Sequence, residues 1–346
     1  MQTPLTERLI ADISASGPLP FEQLVEQALY DADHGFYAAH GRAGGRRGDF
    51  VTSVEVGPLF AGVVADWLDD VWTALDYPRP FLVAEVGAGV GTLFRGINRA
   101  KPDCLDALTY TLVERSAAMR VAHQSLPTDR WASAADLPDP RQHVVLANEL
   151  LDNLAFGIAE RVADGWAPVE VRFDGLGLLL APAAATETLD YLDALAPGTA
   201  VGTRVPTASA AADWVREAHA RADRVVAFDY AATTAELAER GQTGWLRTYA
   251  SHGRGDDPLA DIGRRDITHD VPIDQLPVAT KQSSQADWLR DHGIEQRVER
   301  AKQVWAERGH IGDLEAMMAR SAIGEAEALT DPDGLGAFTV LEWHST

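Results

Sequence analysis

Residues 81–93 decide the fold, and they read Phe-Leu-Val-Ala-Glu-Val-Gly-Ala-Gly-Val-Gly-Thr-Leu. The apolar run at 81–86 predicts a buried strand, and a helical stretch begins near Leu93. Between them stand Gly87, Gly89 and Gly91 at alternate positions. Glycine allows a sharp turn and a close approach of the backbone to a ligand, and a helix start adds free N–H groups. The stretch therefore predicts a ligand-binding loop between a strand and a helix.

The glycine spacing separates two classes of ligand. A dinucleotide loop has the pattern G-x-G-x-x-G, but the third residue after Gly89 is Thr92. The pattern here is acidic-x-G-x-G-x-G, starting at Glu85, and it resembles motif I of class I S-adenosylmethionine (SAM) methyltransferases. This resemblance implies that Glu85, Gly87, Gly89 and Gly91 bind SAM, with an acid near its methionine ammonium.

A second acidic residue follows the next predicted strand, residues 110–113. Glu114 ends that strand, where a carboxylate can accept hydrogen bonds from both ribose hydroxyls of a nucleoside. The alternative is a glycine turn that only packs strand on helix, with Glu114 as a solvated strand end.

The hydrophobic pattern predicts an α/β protein. Short apolar runs alternate with helical segments after residue 80, which indicates a parallel sheet covered on both faces. The fold predicted is a class I methyltransferase, with a seven-stranded, mostly parallel, Rossmann-like sheet. We expect a helical N-terminal region with a glycine-rich lid loop at residues 1–78, including a helix at 60–75, and a SAM-binding domain at 79–346. A β-meander at 156–180 opens a substrate-side insertion at about 156–214.

An acidic turn follows the strand predicted at 144–147. Asn148 and Glu149 begin this turn, and Asp152 lies three residues beyond Glu149. On a first helical turn the two carboxylates would share one face, and such a pair can bind a guanidinium through charge-assisted hydrogen bonds. The alternative is that Asn148 or Asp152 only caps a following helix. Sequence alone leaves both interpretations open.

Several motifs together are similar to the MidA-like family of SAM-dependent methyltransferases. They occur in order along the chain: Gly35-Phe36-Tyr37, residues 48–55, the glycine loop, residues 147–152, Phe228-Asp229-Tyr230, Leu246-Arg247-Thr248-Tyr249 with His252, Asp266-Ile267-Thr268, residues 329–332 and residues 336–338. The mitochondrial members of that family are complex I assembly factors that methylate protein arginine. The resemblance implies SAM as cofactor and an arginine side chain of a protein as acceptor.

The segment before the long helix belongs to this resemblance. It offers hydroxyls at Thr52 and Ser53 and carboxylates at Asp49 and Glu55. We interpret it as a lid over SAM that also shapes the acceptor channel. The alternative is a capped helix start, with Ser53 as N-cap and Glu55 in the first turn.

The predicted reaction is a direct displacement at the methyl carbon of SAM. Glu149, Asp152 and Asp49 are the predicted catalytic residues, and Thr52, Ser53, Glu55 and Asn148 join the cofactor-binding set. Two other functions remain open: methylation of a small molecule, and SAM binding by an assembly or scaffold protein without turnover. The sequence does not specify the acceptor or the oligomeric state.

Composition limits the partners and the compartment. Thirty basic residues against 52 acidic ones give 30 − 52 = −22, which disfavours nucleic acid and anionic membranes as partners. The ten histidines form no close metal pair, so no metal site is expected. Cys104 is the one cysteine, and the N-terminus resembles neither a signal nor a transit peptide. These features predict a cytoplasmic protein.

Overall fold

The structure is a computed structural model that describes residues 2–40, 52–126, 131–183, 189–250 and 253–345, with only the backbone at 39 and 40. The α-helices are α1 (Pro4–Ser16), α2 (Phe21–Tyr30), α3 (Phe36–His40), α4 (Ser53–Val56), α5 (Pro58–Ala74), α6 (Thr92–Ala100), α7 (Ala117–His123), α8 (Tyr191–Leu195), α9 (Ser209–Arg221), α10 (Thr234–Arg240), α11 (Gln242–Trp245), α12 (Gln285–Asp291), α13 (Ile294–Arg308) and α14 (Leu314–Leu329). Short 3₁₀ helices cover Asp103–Asp106, Leu151–Asn153, Ile273–Gln275 and Leu335–Ala337.

The strands are β1 (Leu19–Pro20), β2 (Phe81–Val86), β3 (Leu108–Val113), β4 (Trp131–Ala134), β5 (Gln142–Asn148), β6 (Gly157–Val162), β7 (Gly165–Phe173), β8 (Leu178–Pro182), β9 (Arg204–Thr207), β10 (Ala222–Asp229), β11 (Ala231–Ala232), β12 (Leu246–Ala250), β13 (Gly253–Gly255), β14 (Asp266–His269), β15 (Val271–Pro272), β16 (Lys281–Ser284) and β17 (Thr339–His344).

The chain divides into two compact units. The first unit comprises Met1–Ala43, Leu150–Ala220 and Asp229–Val278, and the second comprises Gly44–Glu149, Arg221–Phe228 and Ala279–Thr346. This division differs from the boundary predicted at residue 78. The physical reason is that α5 lies in the same hydrophobic core as β2, β3 and the C-terminal helices.

The second unit contains the predicted methyltransferase sheet. Its seven strands lie in the order β16-β17-β10-β5-β2-β3-β4. The pairs from β10 to β4 are parallel, and β16 pairs with β17 in the antiparallel sense. The predicted mostly parallel, Rossmann-like α/β sheet is confirmed. Because β5, β2 and β3 are parallel neighbours, the segments that follow them meet at one edge of the sheet.

The long helix α5 covers this sheet with aromatic contacts. Phe60 packs edge-on against Phe228 at 5.3 Å between ring centroids, and Phe228 contacts Trp288 at 4.9 Å. All three side chains are buried. The helix predicted at 60–75 is confirmed at Pro58–Ala74.

Helix α14 was not predicted from the sequence. Its buried positions include alanines and Glu325, so it lacks a strong apolar stripe. The Glu325 carboxylate accepts from the N–H of Leu59 at 2.9 Å and so binds the free N-terminus of α5. A side chain at Gly57 would overlap this carboxylate, which explains the glycine there.

The first unit has its own sheet and core. Strands β1, β7, β6 and β9 lie in that order, and β8 adds to β7. The pairs β6–β7 and β7–β8 are antiparallel, which confirms the predicted meander. A separate sheet has the order β13-β12-β14. Helices α1 and α2 contribute Leu9 and Leu24 to a core shared with Phe156 and Trp245.

Candidate functional site

The glycine loop leaves β2 in the conformation that its sequence predicts. Gly89 has φ +54° and Gly91 has φ +78°, both in the left-handed region that favours glycine. The N–H of Gly91 donates to the carbonyl of Ala88 at 2.8 Å, which closes the turn. A Cβ added at Gly91 would crowd Leu112 and Leu126, whereas one at Gly89 would meet no described atom within 4 Å. Gly89 therefore borders open space.

Glu114 fixes this loop through its carboxylate. One oxygen accepts from the N–H of Gly89 at 2.9 Å, and the other accepts from the N–H of Ser116 at 2.7 Å. Burial raises the pKa of Glu114, and these two N–H groups oppose the rise. The residue is 8% exposed, so the alternative of a solvated strand end is wrong. A carboxylate can accept about four hydrogen bonds, so capacity for a ligand hydroxyl remains beyond these two bonds and one from the Arg115 backbone.

Glu85 lies deeper than Glu114. Its carboxyl accepts a hydrogen bond from the Tyr110 hydroxyl at 2.8 Å, and the residue is 5% exposed. Burial raises the pKa of Glu85 to about 8; Tyr110 and Arg95 oppose that rise and Glu114 adds to it. Glu85 thus joins β2 to β3 beside the loop, and its contact with a ligand ammonium stays a prediction.

The opposite flank of the loop is formed by the end of β5 and the start of α4. One carboxylate oxygen of Glu149 accepts from the N–H of Ser53 and from the side-chain amide of Asn148, both at 3.2 Å. The Ser53 hydroxyl donates to Gln285 at 2.8 Å. Helix α4 also contacts α6, the helix that follows the glycine loop. Ser53 is not an N-cap, because α4 begins at Ser53 and Thr52 occupies the cap position without a side-chain cap bond.

Three buried polar atoms on this flank suit a polar ligand. The hydroxyl of Thr52, one carboxylate oxygen of Glu55 and the amide oxygen of Asn148 have no hydrogen-bond partner among the described residues. A buried polar atom without a partner is costly and calls for a ligand or a water. With the open space at Gly89 and the spare lone pairs of Glu114, these atoms fit a cofactor that carries hydroxyl and ammonium groups. Asp49 lies outside the described residues, so the predicted lid is described only from Thr52 onward.

The backbone does not form the helical turn on which the predicted pairing of Glu149 with Asp152 depended. Glu149 has φ +52°, in the left-handed region, and Leu151–Asn153 form a 3₁₀ turn. The N-cap position of this turn is Leu150, so Asn148 and Asp152 are not its caps either. Glu149 belongs to the second unit and Asp152 to the first.

Asp152 is buried in a polar cluster of the first unit. Its carboxylate accepts from the Thr268 hydroxyl at 2.7 Å and from the side-chain amide of Asn153 at 2.8 Å. Burial raises the pKa of Asp152, while the Thr268 hydrogen bond and the positive charge of Arg247 oppose that rise. Arg247 pairs with Asp270 at 2.5 Å.

Residues of the motifs that carry the family resemblance form hydrogen bonds with the segment around Asp152. The Asp229 carboxylate accepts from the N–H groups of Leu151 and Asp152, at 2.7 and 3.3 Å. The Tyr37 hydroxyl donates to the side chain of Asn153 at 2.5 Å. These positioning roles of Asp229 and Tyr37 are not predictable from sequence spacing, because their partners are distant along the chain.

The described residues offer neither a candidate metal site nor a helix that could span a membrane. No group of three or more His, Cys, Asp or Glu side chains that could hold a metal ion occurs in the described ranges. In that same part of the chain, every helix is too short or too polar to cross a membrane.

Comparison with known proteins identifies the ligand class. A family model described as "Putative S-adenosyl-L-methionine-dependent methyltransferase" matches residues 63–291. A Burkholderia thailandensis crystal structure bound to S-adenosyl-homocysteine superposes with a TM-score of 0.80 at 26% identity, covering 99% of this chain and 92% of that one. These matches support SAM as the cofactor of the glycine loop.

Two curated relatives carry a named activity. A Drosophila melanogaster protein, "Protein arginine methyltransferase NDUFAF7 homolog, mitochondrial", is 32% identical over 135 residues, 36% of this chain and 31% of the relative. The Mus musculus protein arginine methyltransferase NDUFAF7, mitochondrial, is 26% identical over 219 residues, 53% of this chain and 50% of the relative. The chain therefore spans half or less of the length of these relatives.

The predicted cytoplasmic location is wrong on this comparison, because both relatives are named as mitochondrial proteins. Net charge affects the solubility and association of a chain, and cysteine count reflects whether it can form disulfides. Neither property determines the cellular compartment in which a protein is found.

A methyl group at Gly89 tests the position of the cofactor. Gly89→Ala places a Cβ in the open space beside the loop, so we expect SAM affinity to fall about ten-fold or more, a loss of ~1.4 kcal/mol. Gly198→Ala is the matched control, because Gly198 also has a positive φ (+72°) and open space at its Cβ position but lies in the first unit. Both variants carry backbone strain of ~1–2 kcal/mol. Equal SAM affinity of Gly89→Ala and wild type in calorimetry would contradict the assignment.

The raised pKa of Glu85 predicts a pH-dependent stability. The folded pKa of about 8 exceeds the ordinary value of 4.5, so the folded state binds this proton more tightly. The contribution to stability is complete below pH 4.5 and is lost as the pH rises through 8. Glu85→Gln keeps an acceptor for Tyr110 but has no charge, so its melting temperature should fall less than that of wild type between about pH 5.5 and about pH 8.5.

The control for this experiment is Glu299→Gln, since Glu299 is exposed on α13. Thermal unfolding followed by circular dichroism gives the difference directly. A Glu85→Gln variant with the pH slope of wild type would show that Glu85 is ionised in the folded protein across this range.

Proposed function

This chain belongs to the family of S-adenosylmethionine-dependent methyltransferases, and we propose that it transfers the methyl group of SAM to an arginine side chain of a protein. The cofactor is supported by the family match and by the bound ligand of the Burkholderia structure. The acceptor is supported by the names of the Drosophila and mouse relatives.

The observation that carries the proposal is the set of acceptor atoms around the glycine loop. The Glu114 carboxylate, which already binds two backbone N–H groups, has lone pairs for the ribose hydroxyls. The oxygens of Glu55 and Asn148 that have no donor among the described residues suit the methionine ammonium, because a buried acceptor needs a donor. The Thr52 hydroxyl can donate to the methionine carboxylate.

Within the second unit, Glu149 is the residue that we propose binds the acceptor arginine. SAM supplies an activated methyl group on a sulfonium, so the chain needs only to orient a nucleophile and to take a proton. The pKa of a guanidinium lies far above physiological pH, so the acceptor arginine arrives protonated. The Glu149 carboxylate can bind one edge of that guanidinium by charge-assisted hydrogen bonds. Its orientation is fixed by the Ser53 N–H and the Asn148 amide.

Asp152 is proposed as a further residue for the acceptor. Its carboxylate is fixed by Thr268 and Asn153, and its backbone by Asp229. Burial raises its pKa, which makes it a better proton acceptor than an exposed aspartate once it is ionised.

Removal of the charge at Glu149 tests the proposal. Glu149→Gln should leave SAM affinity within about three-fold of wild type but lower methyl transfer about ten-fold or more, ~1.4 kcal/mol of transition-state stabilisation. Labelled SAM with a mitochondrial protein extract supplies the assay, and mass spectrometry identifies methylarginine in the labelled protein. Asp152→Asn should behave alike, and Glu299→Gln is the control for an exposed carboxylate.

Three results would contradict the proposal in different ways. Label in a small molecule would show a small-molecule methyltransferase. SAM binding without any labelled product would show a cofactor-binding scaffold. If both Glu149→Gln and Asp152→Asn produced methylarginine at the wild-type rate, the acceptor chemistry would lie at other residues.

A further inference from the structure

His123 reaches back from the end of α7 to the glycine loop. Its ring nitrogen Nε2 lies 2.9 Å from the carbonyl oxygen of Gly89, and Nδ1 lies 2.8 Å from the Ser133 hydroxyl. The residue is fully buried, and its ring packs edge-on against Trp131. All of these groups belong to the second unit. No motif singles out this histidine, which stands 34 residues after Gly89.

The two contacts specify the protonation of the ring. A carbonyl oxygen only accepts hydrogen bonds, so Nε2 must carry a proton and donate to Gly89. Nδ1 then accepts from the Ser133 hydroxyl when the ring is neutral. Burial lowers the pKa of His123, which keeps the neutral ring at physiological pH.

We infer that His123 is a positioning residue for SAM, because it holds the Gly89 carbonyl and thereby keeps the glycine loop in its ligand-binding conformation. The inference concerns the cofactor site alone and does not depend on the identity of the acceptor. His123 acts on the loop, and no contact of its side chain with the cofactor is required.

The loop needs such a restraint because glycine has more accessible backbone conformations than other residues. Gly89 has no side chain to restrain it, and its φ of +54° is one of several accessible conformations. Glu114 fixes the peptide group before Gly89 through its N–H, and His123 fixes the peptide group after it through its carbonyl. Because a peptide is planar and trans, a fixed Gly89 carbonyl also sets the direction of the Val90 N–H. A loop fixed before binding loses less entropy when the cofactor binds.

The segment 114–123 contacts the glycine loop at both of its ends. Glu114 binds the N–H of Ser116, and the Ser116 hydroxyl caps α7 by accepting from Met119. Helix α7 then ends at His123. Residues 114–123 therefore form a brace that contacts Gly89 through its first and its last residue.

Calorimetry with S-adenosylhomocysteine tests this role without an acceptor. His123→Leu removes the donor and keeps an apolar side chain, so its dissociation constant should rise about ten-fold. His123→Gln can still donate from its amide, so its dissociation constant should stay within about three-fold of wild type. His143→Leu is the matched control, because His143 also binds a backbone group, the N–H of Leu82, but near the start of β2. It should leave the dissociation constant unchanged.

A second measurement uses the wild-type chain. Nitrogen-15 NMR at about pH 7.5 should show the neutral ring of His123 protonated at Nε2. Proton placement on Nδ1 would overturn the inference, even if His123→Leu does not fold. Equal affinities of folded His123→Leu and wild type would also overturn it, as would a loss of binding in His143→Leu as large as in His123→Leu. Failure of the wild-type chain to bind S-adenosylhomocysteine would instead contradict the proposed function, while the NMR result would still test the hydrogen bond to Gly89.

Discussion

The Glu114 carboxylate links a strand, a glycine loop and a helix, and the rest of the proposed cofactor site depends on it. It can do so because β2 and β3 are parallel neighbours with Val86 opposite Val113, so the residues that follow both strands emerge side by side. Its two hydrogen bonds to backbone N–H groups fix Gly89 and Ser116. The order of β5, β2 and β3 places the open space beside Gly89 near the flank whose buried polar atoms have no partner among the described residues.

Two buried carboxyl groups next to one loop have different environments. Burial raises the pKa of both Glu85 and Glu114. Glu114 receives two backbone N–H donors and is suited to bind further donors as a carboxylate. Glu85 accepts a hydrogen bond from the Tyr110 hydroxyl and has a pKa of about 8. Glu114 is therefore suited to bind the proposed cofactor as a carboxylate, whereas the Tyr110 hydrogen bond of Glu85 links β2 to β3 beside the loop.

The sequence predicts the parts of this site that depend on neighbouring residues. Apolar runs and alternate glycines identify β2, the loop and Glu114, because strand periods and turn conformations are local properties. The pairing of Glu149 with Asp152 through helical spacing failed, because Glu149 adopts a left-handed conformation that residue spacing does not reveal. His123 and Asp229 were not found as positioning residues, since their partners are 34 and 77 or more residues away. Helix α14 was missed because alanines and a buried glutamate replace an apolar stripe.

The most direct test of the account is a crystal structure of this protein with S-adenosylhomocysteine. We expect the ribose hydroxyls to lie within hydrogen-bond distance of the Glu114 carboxylate. We also expect the ligand to contact the Gly89 backbone and at least one of the buried atoms of Thr52, Glu55 and Asn148 that have no partner among the described residues. A ligand bound away from Gly89, or a ribose that does not contact Glu114, would contradict it.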